Sequence, residues 1–86
     1  MENKIEEKIS NLEKAIVLAK KDRAAKEYVD YGKRIIECIR ENDYSGARFV
    51  YNKLCFAFQD ARVKPTDKSI VEYWDTTLEL IMVLSR

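Results

Sequence analysis

The side chains with intrinsic chemical reactivity are two cysteines, Cys38 and Cys55, five tyrosines, and carboxylates that fall in close pairs such as Glu6/Glu7 and Asp22/Glu27. A cysteine can act as a nucleophile or a soft metal ligand, and two carboxylates can share acid and base work. The spacing supports neither use. A nucleophilic thiol needs a nearby base or a helix N-terminus to lower its pKa, whereas Cys38 and Cys55 fall in mid or late helix among apolar neighbours and read as small core or boundary residues. The carboxylate pairs read as helix surface, with i,i+4 partners worth a few tenths of a kcal/mol. The chain has no His, so the commonest neutral-pH base is missing and a His-ligated zinc site is impossible. Two cysteines without a CxxC spacing make a poor metal set, and no Gly-rich loop is present to cradle a phosphate; Gly46 reads as part of a turn. The expectation is a protein that is no enzyme, with no metal, no cofactor and no small-molecule substrate.

The frame that would position any site is small. Eighty-six residues make a single domain over 1–86, with one modest core and little room for an enclosed cavity. Sixteen Lys and Arg against fifteen Asp and Glu leave a net charge of +1, which is no field for gripping nucleic acid. Basic groups do occur at Lys20, Lys21, Arg23 and Lys26, at Arg48 and Lys53, and at Arg62, Lys64 and Lys68. Asp22, Glu27, Asp60 and Asp67 are interleaved with them, so they read as solvated surface, and no nucleic-acid partner is expected. The opening MENKIEEKISNLEK has no apolar stretch of a signal peptide. The longest apolar run, Leu80 to Leu84, falls far short of the roughly 20 residues of a membrane span. Paired with unbridged cysteines, this predicts a cytoplasmic protein that meets the inner face of the membrane only through a partner.

Two glycines and one proline leave little punctuation, and the periodicity is helical throughout. Ile5, Ile9, Leu12, Ile16 and Ala19 draw one seam down a first segment from about Glu2 to Lys20, widened by Val17 and Leu18. A second segment runs from about Arg23 to Arg40, with Asp22 as N-cap and Tyr28, Gly32, Ile35 and Ile39 on one face. The turn-forming run Glu41 to Gly46 separates it from a third, capped by Asp43 or Ser45 and reaching Ala61. That third segment carries a core stripe through Ala47, Val50, Tyr51, Leu54, Ala57, Phe58 and Ala61 and a second apolar strip at Phe49 and Phe56. Pro65 disfavours helix at Lys64, and Thr66 or Asp67 can cap a fourth segment to about Leu84. Its stripe is Ile70, Trp74, Thr77, Leu78 and Ile81. Similar lengths and short links predict an all-α fold, an antiparallel up-down four-helix bundle. If the first two segments were one continuous helix, the alternative is a long hairpin that forms a homodimer.

The aromatic residues all lie after the first segment and cannot all point inward. Tyr, Trp, Arg and Met are favoured at protein–protein contacts, so the last two segments are expected to carry a partner surface.

Ala47-Arg48-Phe49-Val50-Tyr51-Asn52-Lys53-Leu54 resembles the third-helix stretch of immunity proteins for pediocin-like (class IIa) bacteriocins, the enterocin A immunity family. A short loop and a polar start to the next helix follow at Arg62 to Thr66, as in that family. The resemblance covers the whole chain as architecture and about residues 42–77 as sequence. It implies a four-helix bundle that protects a cell from a bacteriocin. In that family the toxin docks on membrane components of a mannose-type sugar phosphotransferase transporter. The immunity protein binds the toxin-occupied receptor from the cytosol, with selectivity mainly in the C-terminal half. On this chain the expected contact set is Arg62, Lys64, Tyr73, Trp74 and Met82, flanked by Arg48; Trp74 may equally serve as a core anchor. Family members usually continue past the fourth helix with a discriminating tail, whereas this sequence reaches Arg86 at or just after that helix, which leaves the toxin open and allows a shortened relative. The alternative function is a small helical regulator or inhibitor of a soluble cytosolic protein.

Overall fold

The computed structural model describes residues 2–23, 25–61 and 68–84. They form α1 (Glu2–Lys20), a short 3-10 helix (Lys26–Tyr28), α2 (Val29–Arg40), α3 (Tyr44–Asp60) and α4 (Lys68–Leu84). The sequence-read break at Val63–Thr66 and the cap at Thr66 or Asp67 lie outside the described residues, as do Arg62 and Lys64.

The helices pack as an all-α, antiparallel up-down bundle. The start of α1 meets the end of α2 through Glu6 and Arg40, 3.7 Å apart, and the end of α4 through Lys8 and Glu79, 3.9 Å apart. The Glu6–Arg40 pair is exposed and Lys8 is half-buried beside an exposed Glu79; such surface pairs contribute little on their own, and their value is in showing the helix directions. Tyr28 at the start of α2 stacks on Phe58 near the end of α3, and Arg48 near the start of α3 reaches Leu84 at the end of α4. The most extensive packing is α1 on α4 and α2 on α3. The longest dimension is 34 Å. A continuous helix over the first two segments would need about 1.5 Å per residue, close to 60 Å, so the alternative of a single long hairpin arm is excluded.

The α1 seam is as the spacing requires. Ile9, Leu12, Ile16 and Ala19 are buried and Ile5 packs against them. Val17 and Leu18 do not widen it; both stand in solvent. Leu18 stands at the rim of a shallow groove that α1 forms with Glu72, Tyr73 and Thr76 of α4.

The α2–α3 connection is built from three residues. Asn42 takes a left-handed conformation, φ 60°, which asparagine tolerates better than most side chains. Its N–H donates to the Ile39 carbonyl and the Asp43 N–H to the Cys38 carbonyl, the paired closure of a Schellman turn. Asp43 then starts α3, its Oδ1 accepting from the Gly46 N–H at 2.9 Å. A Cβ at Gly46 would overlap that carboxylate, so the glycine and the cap belong together. Asp43→Ala is expected to destabilise the fold by about 0.5–2 kcal/mol, read as a lower urea midpoint. An unchanged midpoint would mean that the cap is replaced by water at no cost.

Two local readings are corrected. Helix α2 begins at Val29, not Arg23, and Asp22 is not its N-cap residue; the chain passes through backbone turns closed on Ala19 and Asp22 and then the 3-10 helix. The α4 stripe is also rotated. Ile70, Tyr73, Thr77, Leu80, Ile81 and Leu84 are buried, while Trp74 is half-buried and Leu78 exposed. A single residue, Tyr73, accounts for both changes. Its hydroxyl donates to the Tyr28 carbonyl (2.5 Å) and accepts from the Gly32 N–H (2.9 Å). Those two groups are the i and i+4 partners of the first α-turn of α2. The neighbouring Tyr28 N-cap position supplies no side-chain cap, so α4 caps α2 from across the bundle.

Candidate partner-binding surface

The C-terminal half is organised around one aromatic stack. Phe58 is buried, with Tyr28 on one side and Trp74 on the other, each 4.6 Å away between ring centres and tilted by 55° and 46°. Such tilted pairs contribute about 0.5–1.5 kcal/mol beyond their area. Trp74 therefore anchors α4 to α3 with its inner face and reaches the surface with its edge. Its side chain also neighbours Tyr51. Burial, followed by the adjacent Cys55 thiol, pushes the Tyr51 hydroxyl up to about 12 in spite of the opposing effect of Trp74. Burial likewise raises the Cys38 thiol, which keeps it protonated and unreactive at neutral pH.

The expected contact residues separate into three groups. Tyr73 is 1% exposed and is withdrawn from any partner contact: its ring and hydroxyl are spent on the core and on α2. Burial raises its pKa, with only the Gly32 N–H acting in the opposite direction among hydrogen bonds. Arg48 is half-buried, and its guanidinium donates to the Leu84 carbonyl at 2.9 Å. A cation at the negative end of a helix dipole is favourable, so Arg48 closes the C-terminus of α4 and only its remaining donors face outward. Met82, by contrast, is 58% exposed. The apolar run at the end of α4 is absorbed by the bundle at Leu80, Ile81 and Leu84, and Met82 is the side chain left outside. Arg62 and Lys64 are not among the described residues.

Three exposed apolar side chains join Met82 on these two helices. Leu78 lies one turn before it on α4. Phe49 and Phe56, two turns apart on α3, are exposed by 60% and 64%. The Lys53 ammonium sits 4.9 Å from the Phe49 ring centre, a cation–π pair of modest worth at an exposed site. Phe49 also forms one wall of an open groove of about 350 Å³ between α2 and α3, with Tyr31, Arg34, Val50 and Lys53. The seven-residue spacing of Phe49 and Phe56 marks an apolar strip off the core stripe, which is the sequence signal for these two exposed rings. What the arrangement offers is an apolar outer surface on α3 and α4, with an indole edge and a thioether, carried on a rigid stack. No described helix is long and apolar enough to cross a membrane.

No protein-family model, no curated protein and no solved structure matches this chain.

Proposed function

We propose that the chain is a bacteriocin immunity protein of the pediocin-like class, acting from the cytoplasm on a toxin-occupied membrane receptor of the mannose phosphotransferase type. The observation that carries this reading is the exposure of Phe49, Phe56, Leu78 and Met82 on α3 and α4, the half of the chain that also carries the family-like Ala47–Leu54 stretch. Exposed apolar side chains gathered on one side of a small domain, unlike scattered ones, mark an interaction surface. The contact set is revised accordingly: Phe56, Leu78, Met82 and the edge of Trp74 form its centre. Arg48 flanks it; Arg62 and Lys64 stay in the proposed set by residue type alone, outside the described residues. Tyr73 has no part in it. Protection would come from tighter binding to the occupied receptor than to the empty one, since a ligand shifts an equilibrium only by that difference.

The test is a protection assay in a bacterium sensitive to pediocin-like toxins. Expression of the protein is expected to raise the inhibitory concentration of one or a few toxins in a panel, by about tenfold or more for each 1.4 kcal/mol of added receptor affinity. The variant Phe56→Ser/Met82→Ser should lose that protection with its thermal midpoint unchanged, because both positions are already in water. Absence of protection against every toxin by the folded, expressed protein would overturn the reading. Loss of protection only in variants that also melt early would overturn the contact set.

A further inference from the structure

The charge of this chain is nearly balanced in total but not in space. Residues 14–26 hold five Lys and Arg (Lys14, Lys20, Lys21, Arg23 and Lys26) against Asp22, a formal +4; since the whole chain is +1, everything else carries −3. All five cations are exposed. They occupy the last two turns of α1 and the turns that follow it, up to the 3-10 helix. Lys33 of α2 is exposed beside them. The neighbouring Lys33 ammonium holds Lys20 below the usual lysine range, and the Asp30 carboxylate acts in the opposite direction. Glu13, Glu27, Asp30 and, across the groove from Lys14 and Leu18, Glu72 of α4 stand at the margins of the cluster.

Two aliphatic side chains rise from the middle of this basic area. Val17 is 55% and Leu18 60% exposed, and on a helix Lys14 and Lys21 fall on the arc between them. The bundle has no use for these side chains, and the α3 and α4 contact surface lies on other helices. Their setting indicates what would cover them. A second copy of the chain would bring +4 against +4. A nucleic acid would satisfy the cations, but its phosphates and base edges give Val17 and Leu18 nothing, and the cluster contains no aromatic side chain for a base to stack on. A bilayer with anionic headgroups satisfies both halves: phosphates for the ammonium and guanidinium groups, and the acyl boundary for the two aliphatic groups.

We infer that the C-terminal end of α1 and the turns after it are a docking surface for an anionic lipid bilayer, with Val17 and Leu18 entering the interface and Lys14, Lys20, Lys21, Arg23, Lys26 and Lys33 facing the headgroups. This surface is independent of the immunity reading and stands or falls without it. It would concentrate the protein at a membrane and leave α3 and α4 free for a protein partner.

Co-sedimentation with vesicles tests it. The full chain is mixed with phosphatidylglycerol/phosphatidylcholine vesicles or with pure phosphatidylcholine vesicles, each at low and at high salt. Binding is expected only with the anionic vesicles and should weaken as salt rises and the Debye length shortens. Lys20→Glu/Lys21→Glu should lower the partition coefficient by about tenfold or more, given the attraction each basic residue adds near such a surface. Val17→Ser/Leu18→Ser should also lower it several-fold, while leaving the far-ultraviolet circular dichroism melt unchanged. Lys53→Glu, on α3, should bind as the parent does. Four results would each overturn the inference: no sedimentation with anionic vesicles at low salt, equal sedimentation with neutral vesicles, full binding by the Val17/Leu18 variant, or retention of a DNA duplex in place of vesicles.

Discussion

Phe58→Ala is expected to cost about 3–5 kcal/mol, the range for truncating a buried aromatic side chain, whereas Phe56→Ala should stay within about 0.5 kcal/mol of the parent. The two phenylalanines stand two residues apart on α3. One is 1% and the other 64% exposed. Removing the Phe58 ring deletes both stacking contacts at once, to Tyr28 of the 3-10 helix and to Trp74 of α4. The void would lie where α2, α3 and α4 meet, and three elements fixed at their other contacts cannot all close on it. A chain of 86 residues has a total stability on the order of 4–13 kcal/mol at 0.05–0.15 kcal/mol per residue. The Phe58 loss is therefore a large part of the whole. Urea titration followed by far-ultraviolet circular dichroism should show the Phe58→Ala midpoint falling steeply and the Phe56→Ala midpoint holding. Comparable losses at the two positions would mean that the outer strip of α3 is packed, and the contact surface proposed for it would then be withdrawn.

The second large effect is a coupling between Gly32 and Tyr73. A Cβ at Gly32 would stand 2.7 Å from the Tyr73 hydroxyl oxygen, and 3.2 Å from Tyr73 Cε1 and Ile16 Cδ1. Alanine would ordinarily favour a helix over glycine by about 1 kcal/mol; here it must displace the group that caps α2. Gly32→Ala is therefore expected to destabilise. Tyr73→Phe should cost about 1–3 kcal/mol, because the Tyr28 carbonyl and the buried Gly32 N–H lose a shared partner. The double variant should be more stable than the sum of the two losses predicts, since without the hydroxyl the closest obstacle to the Cβ is gone. A double-mutant cycle by urea denaturation measures this directly. Strict additivity would show that the hydroxyl is not what Gly32 accommodates. The same residue gives a pH signature. Burial raises the Tyr73 pKa above its ordinary value of 10.0, so the folded state favours the neutral phenol. The associated stability is complete below pH 10 and is lost as the pH rises beyond it. Tyr73→Phe should make the alkaline decline shallower without abolishing it, because the Tyr28 and Tyr51 hydroxyls are also raised by burial.

The legible parts of this protein are those whose cause lies within a turn or two of the residue. Asp43 as cap follows from its position before a helical pattern and from Gly46 three residues on. The α1 seam through Ile5, Ile9, Leu12, Ile16 and Ala19 is legible because charged residues hold the opposite arc, although the same pattern also draws in Val17 and Leu18, which stand in solvent. The stripe of α4 is not fixed in this way. From Leu80 to Leu84 every residue is apolar, and periodicity accepts either Trp74 and Leu78 or Tyr73 and Leu80 on the inside. The candidate surface suffered from the same ambiguity. Aromatic and basic residue types point to α3 and α4, but they include Tyr73, which is buried in the core, and omit Phe56, which is exposed.

The sequence alone determined that there are four helices, where the second gives way to the third, that the links are short enough to make the bundle antiparallel, and that Lys20, Lys21, Arg23 and Lys26 lie close together. Each of these is a matter of composition or of neighbours a few positions apart. The tertiary structure decided which of two adjacent apolar residues is buried, where α2 begins, and that Val17, Leu18, Phe49, Phe56 and Met82 are left facing solvent. Those outcomes depend on bonds such as Tyr73 to Gly32 and to Tyr28, formed between groups 41 and 45 residues apart. Helical periodicity sets which residues share a face; only the partner helix, arriving from the far end of the chain, sets which face is covered.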